Sequence, residues 1–69
     1  MQISARNSLK GTVKAVEIGA VNATVTIEVA PGVEVVAMIT KGSAESMSLQ
    51  PGSEVYAVIK ASDVMVAIN

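Results

Sequence analysis

The chain has 69 residues with no cysteine, no histidine and a formal net charge of −1, so a second domain, a disulfide or zinc staple, a Cys or His nucleophile and a histidine acid–base group are all excluded. It is 51% hydrophobic but only 1% aromatic and 16% charged, which excludes disorder and, with Val and Ile dominating, points to strands rather than helices. The five basic residues, Arg6, Lys10, Lys14, Lys41 and Lys60, are dispersed and Tyr56 is the sole aromatic, so the basic stripe and stacking platforms of a nucleic-acid binder are missing.

In chain order, Leu9, Gly11 and Val13 share one face, and the apolar phase then slips by one at Val16 and Ile18. A long first strand bent by a β-bulge produces that slip. Val21 to Val29 alternates apolar with polar, the two-residue period of a half-buried strand. Pro31-Gly32 is a turn, with Pro31 presetting the first corner and Gly32 supplying a positive φ at the second. Val33 to Thr40 is the hairpin partner. From Lys41 to Leu49 the two-residue period is lost, which predicts a short helix capped by Ser43. Pro51-Gly52 ends it, Glu54 to Lys60 resumes strand character, and Ala61-Ser62-Asp63 separates this from a fifth strand, Val64 to Ile68. The expected fold class is mainly β, a small five-stranded OB-like barrel with one short helix between strands 3 and 4, occupying residues 1–69 as one domain.

Two segments are apolar on both faces. Val35, Ala37 and Ile39 are opposed by Val36 and Met38, and Val64, Val66 and Ile68 by Met65 and Ala67. A core this small cannot cover them all, so self-association is expected. No apolar run approaches the ~20 residues of a membrane span and no signal peptide is evident, so the expected location is cytoplasmic, with no membrane partner.

The chemistry is that of binding rather than catalysis. The six acids, Glu17, Glu28, Glu34, Glu45, Glu54 and Asp63, are scattered, mostly alternating with apolar residues on strands, and have no metal-ligand spacing. Lys41-Gly42-Ser43 resembles the end of a P-loop without its earlier glycines. Two donor-rich clusters stand out: Ser4-Ala5-Arg6-Asn7, and Lys60-Ala61-Ser62 at the break before the last predicted strand, where the amides of Ala61 and Ser62 lack a ladder partner. An arginine fork, an ammonium, hydroxyls and backbone amides can together surround a tetrahedral oxyanion. From residue types alone, Ser4 and Asn7 could equally be turn formers, and Arg6 and Lys60 solvating charges.

Ile3-Ser4-Ala5-Arg6-Asn7 followed by Leu9-Lys10-Gly11, with Tyr56-Ala57-Val58-Ile59-Lys60-Ala61-Ser62-Asp63-Val64-Met65 near the end, resembles the molybdenum-pterin-binding proteins, or molbindins, a family built on a Mop/TOBE-type molybdate-binding domain. The resemblance runs along the whole chain. It implies an OB-like barrel that assembles as a homohexamer, a trimer of dimers, and that holds molybdate or tungstate at subunit interfaces in the cytoplasm for storage or homeostasis, without turnover. The family's first type of site then falls on Ser4, Ala5 and Arg6 with Lys60 and Ala61. Where some relatives carry Ser after the lysine this chain has Ala61, so a backbone amide or Ser62 replaces that hydroxyl. A second type of site, near a threefold axis, falls around Thr40, Lys41 and Ser43.

Three other functions compete with oxyanion storage: an OB-like nucleic-acid-binding module, disfavoured by charge and aromatic content; a purely structural oligomerisation domain, disfavoured by the donor clusters; and carriage of a molybdenum-pterin cofactor, disfavoured because no aromatic surface exists to stack a pterin.

Overall fold

The computed structural model describes residues 1–69. It contains four strands, β1 (Asn7–Ile18), β2 (Asn22–Ala30), β3 (Val33–Thr40) and β4 (Glu54–Ile59), a helix α1 (Lys41–Ser46) between β3 and β4, and a single 3₁₀ turn at Ala61–Asp63. The strands form one curled antiparallel sheet in the order β3-β2-β1-β4.

β1 is long because it serves two partners in succession. Asn7 to Thr12 pairs with β4, and Thr12 to Ile18 with β2. The change of partner coincides with the expected bulge: the β1–β2 register slips between Val13 and Ala15. There the Val13 amide donates to Ser53 O and its carbonyl accepts from Gly52 N, both at 2.9 Å, so the bulge leaves no backbone group of Val13 unpaired. A second slip, between Glu28 and Ala30, was not signalled by the sequence. Gly32 has φ 73°, as the turn requires.

The alternation of β2 seats Ala23, Val25 and Ile27 on the concave face, and Val25 and Ile27 join Val13 and Ala57 in a buried cluster flanked by Val16, Val29, Val35, Ile39, Leu49 and Val55. Only 6 of 69 residues are buried. Both features of β3 noted in the sequence persist: Val35 and Ile39 pack against the core with Ala37 half-buried between them, while Val36 and Met38 remain 67% and 71% exposed.

The helix differs from expectation at its start. Its N-cap is Thr40, not Ser43, because β3 runs straight into the helix and the Thr40 hydroxyl accepts from Ser43 N at 3.0 Å. Ser43 instead answers the cap from within the first turn, its hydroxyl accepting from Thr40 Oγ1 at 2.8 Å.

The fifth strand is absent, so the sheet is a half-barrel rather than a closed one. Val64 is locally extended, with φ −95° and ψ 123°, yet the segment to Ile68 pairs with nothing; Met65, Val66 and Ile68 are 93%, 90% and 93% exposed. Residue type supplies the extended backbone, but a strand also needs a partner edge, and the chain gives this segment none.

Candidate functional site

The sheet register brings the two donor clusters together. Asn7 and Ile59 are the outermost pair of the β1–β4 ladder, so Arg6 and Lys60 are the next residues on either side of it, with Ser4 and Ala5 leading in and Ala61 and Ser62 leading out. β2 pairs with β1 only from Thr12 onward. This corner is therefore a two-stranded ribbon projecting from the sheet.

Its backbone is arranged to leave donors free. The Asp63 amide donates to Lys60 O at 2.9 Å and the Val64 amide to Ala61 O at 3.2 Å, which fixes the 3₁₀ turn. The amides of Ala61 and Ser62, at the start of that turn, have no acceptor in the chain. Arg6 and Lys60 are exposed, and neither takes part in any side-chain hydrogen bond. The corner thus presents a guanidinium, an ammonium and two free backbone N–H groups, with hydroxyls from Ser4 and Ser62, all accessible to solvent. Such a set accepts an anion and repels a cation. No group of acidic side chains is placed to hold a metal ion.

Asn7 is committed differently. Its Nδ2 donates to Ile59 O at 3.2 Å, a contact that reading by residue type misses because Ile59 takes part through its carbonyl.

Thr40, Lys41 and Ser43 lie elsewhere. Thr40 pairs with Asn22, at the end of the sheet where β1 finishes and β2 begins, far along the strands from the Arg6–Lys60 corner. The hydroxyls of Thr40 and Ser43 engage each other, and the Lys41 amide donates to Val21 O at 2.8 Å. Within the chain these groups fasten the helix to the sheet.

An apolar recess of about 110 Å³ opens on the concave face, lined by Val25, Ile27, Ile39, Met47, Leu49, Val55 and Tyr56. It is smaller than the ~300 Å³ of an ordinary small-molecule pocket and has almost no polar lining to orient a heteroaromatic ring.

Residues 3–66 match the TOBE domain model. The chain is 48% identical over 66 residues to molybdenum-pterin-binding protein 3 of Clostridium pasteurianum, covering 96% of this chain and 97% of that one. Its fold superposes on that of a molybdate-binding protein from Sporomusa ovata with a TM-score of 0.91 at 40% identity, covering 99% of this chain and 100% of that one. It also matches the cytoplasmic molybdate-binding protein ModG, solved with molybdate bound, with a TM-score of 0.89 at 49% identity, covering 94% of this chain and 46% of the longer relative. These relatives are binding proteins, not enzymes. No helix is long and apolar enough to cross a membrane.

Proposed function

The chain belongs to the TOBE domain family, among its molybdenum-pterin-binding proteins, and from that premise we propose that it is a cytoplasmic oxyanion-binding protein that stores or buffers molybdate, and tungstate by the same chemistry. The observation that carries this reading is the corner itself, where Arg6, Lys60 and the unpartnered amides of Ala61 and Ser62 meet beyond the last rung of the β1–β4 ladder.

A donor-only site discriminates among tetrahedral anions. Molybdate is fully ionised at neutral pH, whereas hydrogen phosphate retains a proton. That O–H would face another donor and leave buried groups unpaired, at about 1 to 3 kcal/mol each. Sulfate differs in size rather than protonation. Tungstate matches molybdate in charge and nearly in shape, so both are accepted.

The corner is open on the isolated chain, and a dianion held in open water gains little from its donors. Closure by a second subunit supplies the missing wall. The uncovered Val36 and Met38, and the unpaired Val64 to Ile68, support assembly through the same chain's surplus apolar surface. In the assembled protein the Val64–Ile68 segment becomes the fifth strand of an OB-like barrel, residues 1–69 act as one domain, and the assembly is a homohexamer, a trimer of dimers. A second type of oxyanion site around Thr40, Lys41 and Ser43 forms only where copies meet. The apolar recess has almost no polar lining with which to hold a pterin's edge.

The test is parallel calorimetry of the purified protein with molybdate, tungstate, sulfate and phosphate. Uptake of the first two at micromolar free ligand, with phosphate excluded, is expected. No uptake of either would leave an oligomerisation domain, the reading that the exposed apolar surface favours independently.

A further inference from the structure

Asn7 makes the only side-chain hydrogen bond that spans the sheet. Its Nδ2 reaches Ile59 O at 3.2 Å across 52 residues of sequence, whereas the other three side-chain bonds join residues three apart. Chemistry fixes the orientation of the carboxamide, since a carbonyl oxygen can accept only from its nitrogen. The bond lies on the last rung of the ladder, one residue before Lys60 and one after Arg6.

That rung is where fastening has most effect. From Asn7 to Gly11 the first strand has β4 alone as a neighbour, and the end of a two-stranded ribbon frays readily. Fraying at Asn7–Ile59 would separate the arm carrying Ser4, Ala5 and Arg6 from the arm carrying Lys60, Ala61 and Ser62. From this geometry we infer that Asn7 is a positioning residue for the oxyanion site, clamping the two donor arms at a fixed separation, rather than a ligand of the anion. One of its two N–H donors is committed to Ile59, which holds the carboxamide across the rung, and its Oδ1 is an acceptor that an oxyanion avoids, so the side chain is placed to tie the strands rather than to surround an anion. The inference rests on the oxyanion reading above, since the clamp matters to binding only if the two arms share a ligand; a preorganised site then loses less freedom when the ligand arrives.

Asn7→Leu keeps the size and branching of the side chain and deletes the donor. Calorimetry with sodium molybdate is expected to show affinity about three- to tenfold below the wild-type value. The same substitution made on Arg6→Ala should cost much less, because the arm it positions has lost its principal donor, a non-additivity that general destabilisation would not produce. In the ligand-free protein, the ladder amides at the Asn7–Ile59 end of β1 and β4 should exchange faster in Asn7→Leu than in the wild type. Unchanged affinity, or full additivity with Arg6→Ala, overturns the inference. Should Asn7→Leu fail to fold, NMR of the wild-type protein decides: a slowly exchanging Asn7 carboxamide proton whose resonance stays put on adding molybdate supports the clamp, and one that exchanges freely or shifts as an anion ligand would overturns it. Absence of molybdate uptake by the wild type sinks the oxyanion reading instead, and is separately visible because amide exchange in the ligand-free protein still reports on the clamp.

Discussion

The Leu49 amide donates to the Ala44 carbonyl at 3.1 Å, and together with the 3.0 Å bond from Ser48 N to Glu45 O it closes α1 in a Schellman arrangement. The closure turns the chain so that Ala44 is buried and Leu49 packs beside the core, against which a six-residue helix could not otherwise hold itself. It requires a left-handed residue between them. Ser48 fills that place with φ 52°, the only non-glycine residue of the chain at positive φ.

Glycine suits that conformation without a Cβ penalty. Ser48→Gly should therefore stabilise the fold by up to about 1 kcal/mol, the relief of left-handed strain being partly offset by the freer unfolded chain. A urea titration checks this: the midpoint should rise with the slope unchanged. A lower midpoint would mean that the Ser48 side chain stabilises the helix end by more than the strain it brings.

Gly11 faces the opposite constraint. A Cβ built there would lie 2.6 Å from Glu28 O and 2.7 Å from Ile27 Cγ2, where β1 changes partner and backbone crowds backbone. Glu28 O is tied to its strand and cannot retreat as a flexible side chain could. Gly11→Ala is expected to destabilise by about 1 to 3 kcal/mol, read as a fall in melting temperature. Ala at position 42, where nothing lies within 4 Å of the added carbon, is the control and should be well tolerated.

These local features divide by how far each depends on distant chain. The alternation from Val21 to Val29, the slipped phase between Val13 and Val16 and the Pro31-Gly32 turn are settled within a few residues, and the first strand, its bulge and the β2–β3 hairpin were legible for that reason. The helix was legible as an element but not at its cap, because Ser43 and Thr40 are both competent cap residues and only the uninterrupted passage from β3 into α1 selects Thr40. The fifth strand failed for another reason. Val64 to Ile68 has strand composition, but pairing is a property of two segments, and the sequence names only one. The clusters at Ser4–Asn7 and Lys60–Ser62 were recognisable by residue type, while their meeting at one rung depends on the β1–β4 register, and the part played by Ile59 O has no side-chain signature at all.

The unpaired segment gives the next prediction. Val66 is 90% exposed on the single chain and touches none of the buried cluster, so Val66→Lys should leave the four-stranded sheet intact while placing a charge in any interface that the segment enters. Light scattering should show the wild type well above its 7.0 kDa chain mass and the variant shifted downwards. A wild-type protein that is folded at 7.0 kDa at micromolar concentration would remove the interface, and with it any site shared between subunits.

Arg6 is exposed and contributes nothing to the fold through hydrogen bonds. Arg6→Ala should leave folding and assembly unchanged and weaken molybdate binding by about 1.5 to 3 kcal/mol, or roughly one to two decades in affinity. Equal calorimetric affinity would reduce Ser4 to Arg6 to a lead-in for β1.

Lys60 carries the last prediction. It follows Ile59 at the end of β4 and precedes the 3₁₀ turn, with φ −62° and ψ 136°, and its carbonyl is held by the Asp63 amide at 2.9 Å, so its backbone is fixed on both sides while its side chain is unengaged. Lys60→Met retains the long stem and removes only the charge and its donors. Folding and assembly should survive, and affinity should fall for every dianion, tungstate as much as molybdate, because a point charge does not distinguish between them. Lys60→Arg keeps the charge but replaces a compact ammonium by a planar fork beside a second fork at Arg6, two groups too wide to converge on one tetrahedron with the Ala61 and Ser62 amides, so it too should bind poorly. Parallel calorimetry of both variants with both anions decides the matter. If Lys60→Met binds molybdate and tungstate normally, the ammonium is a solvated surface charge. The site must then be built from Arg6 and backbone amides alone, or lie where copies meet around Lys41 and Ser43.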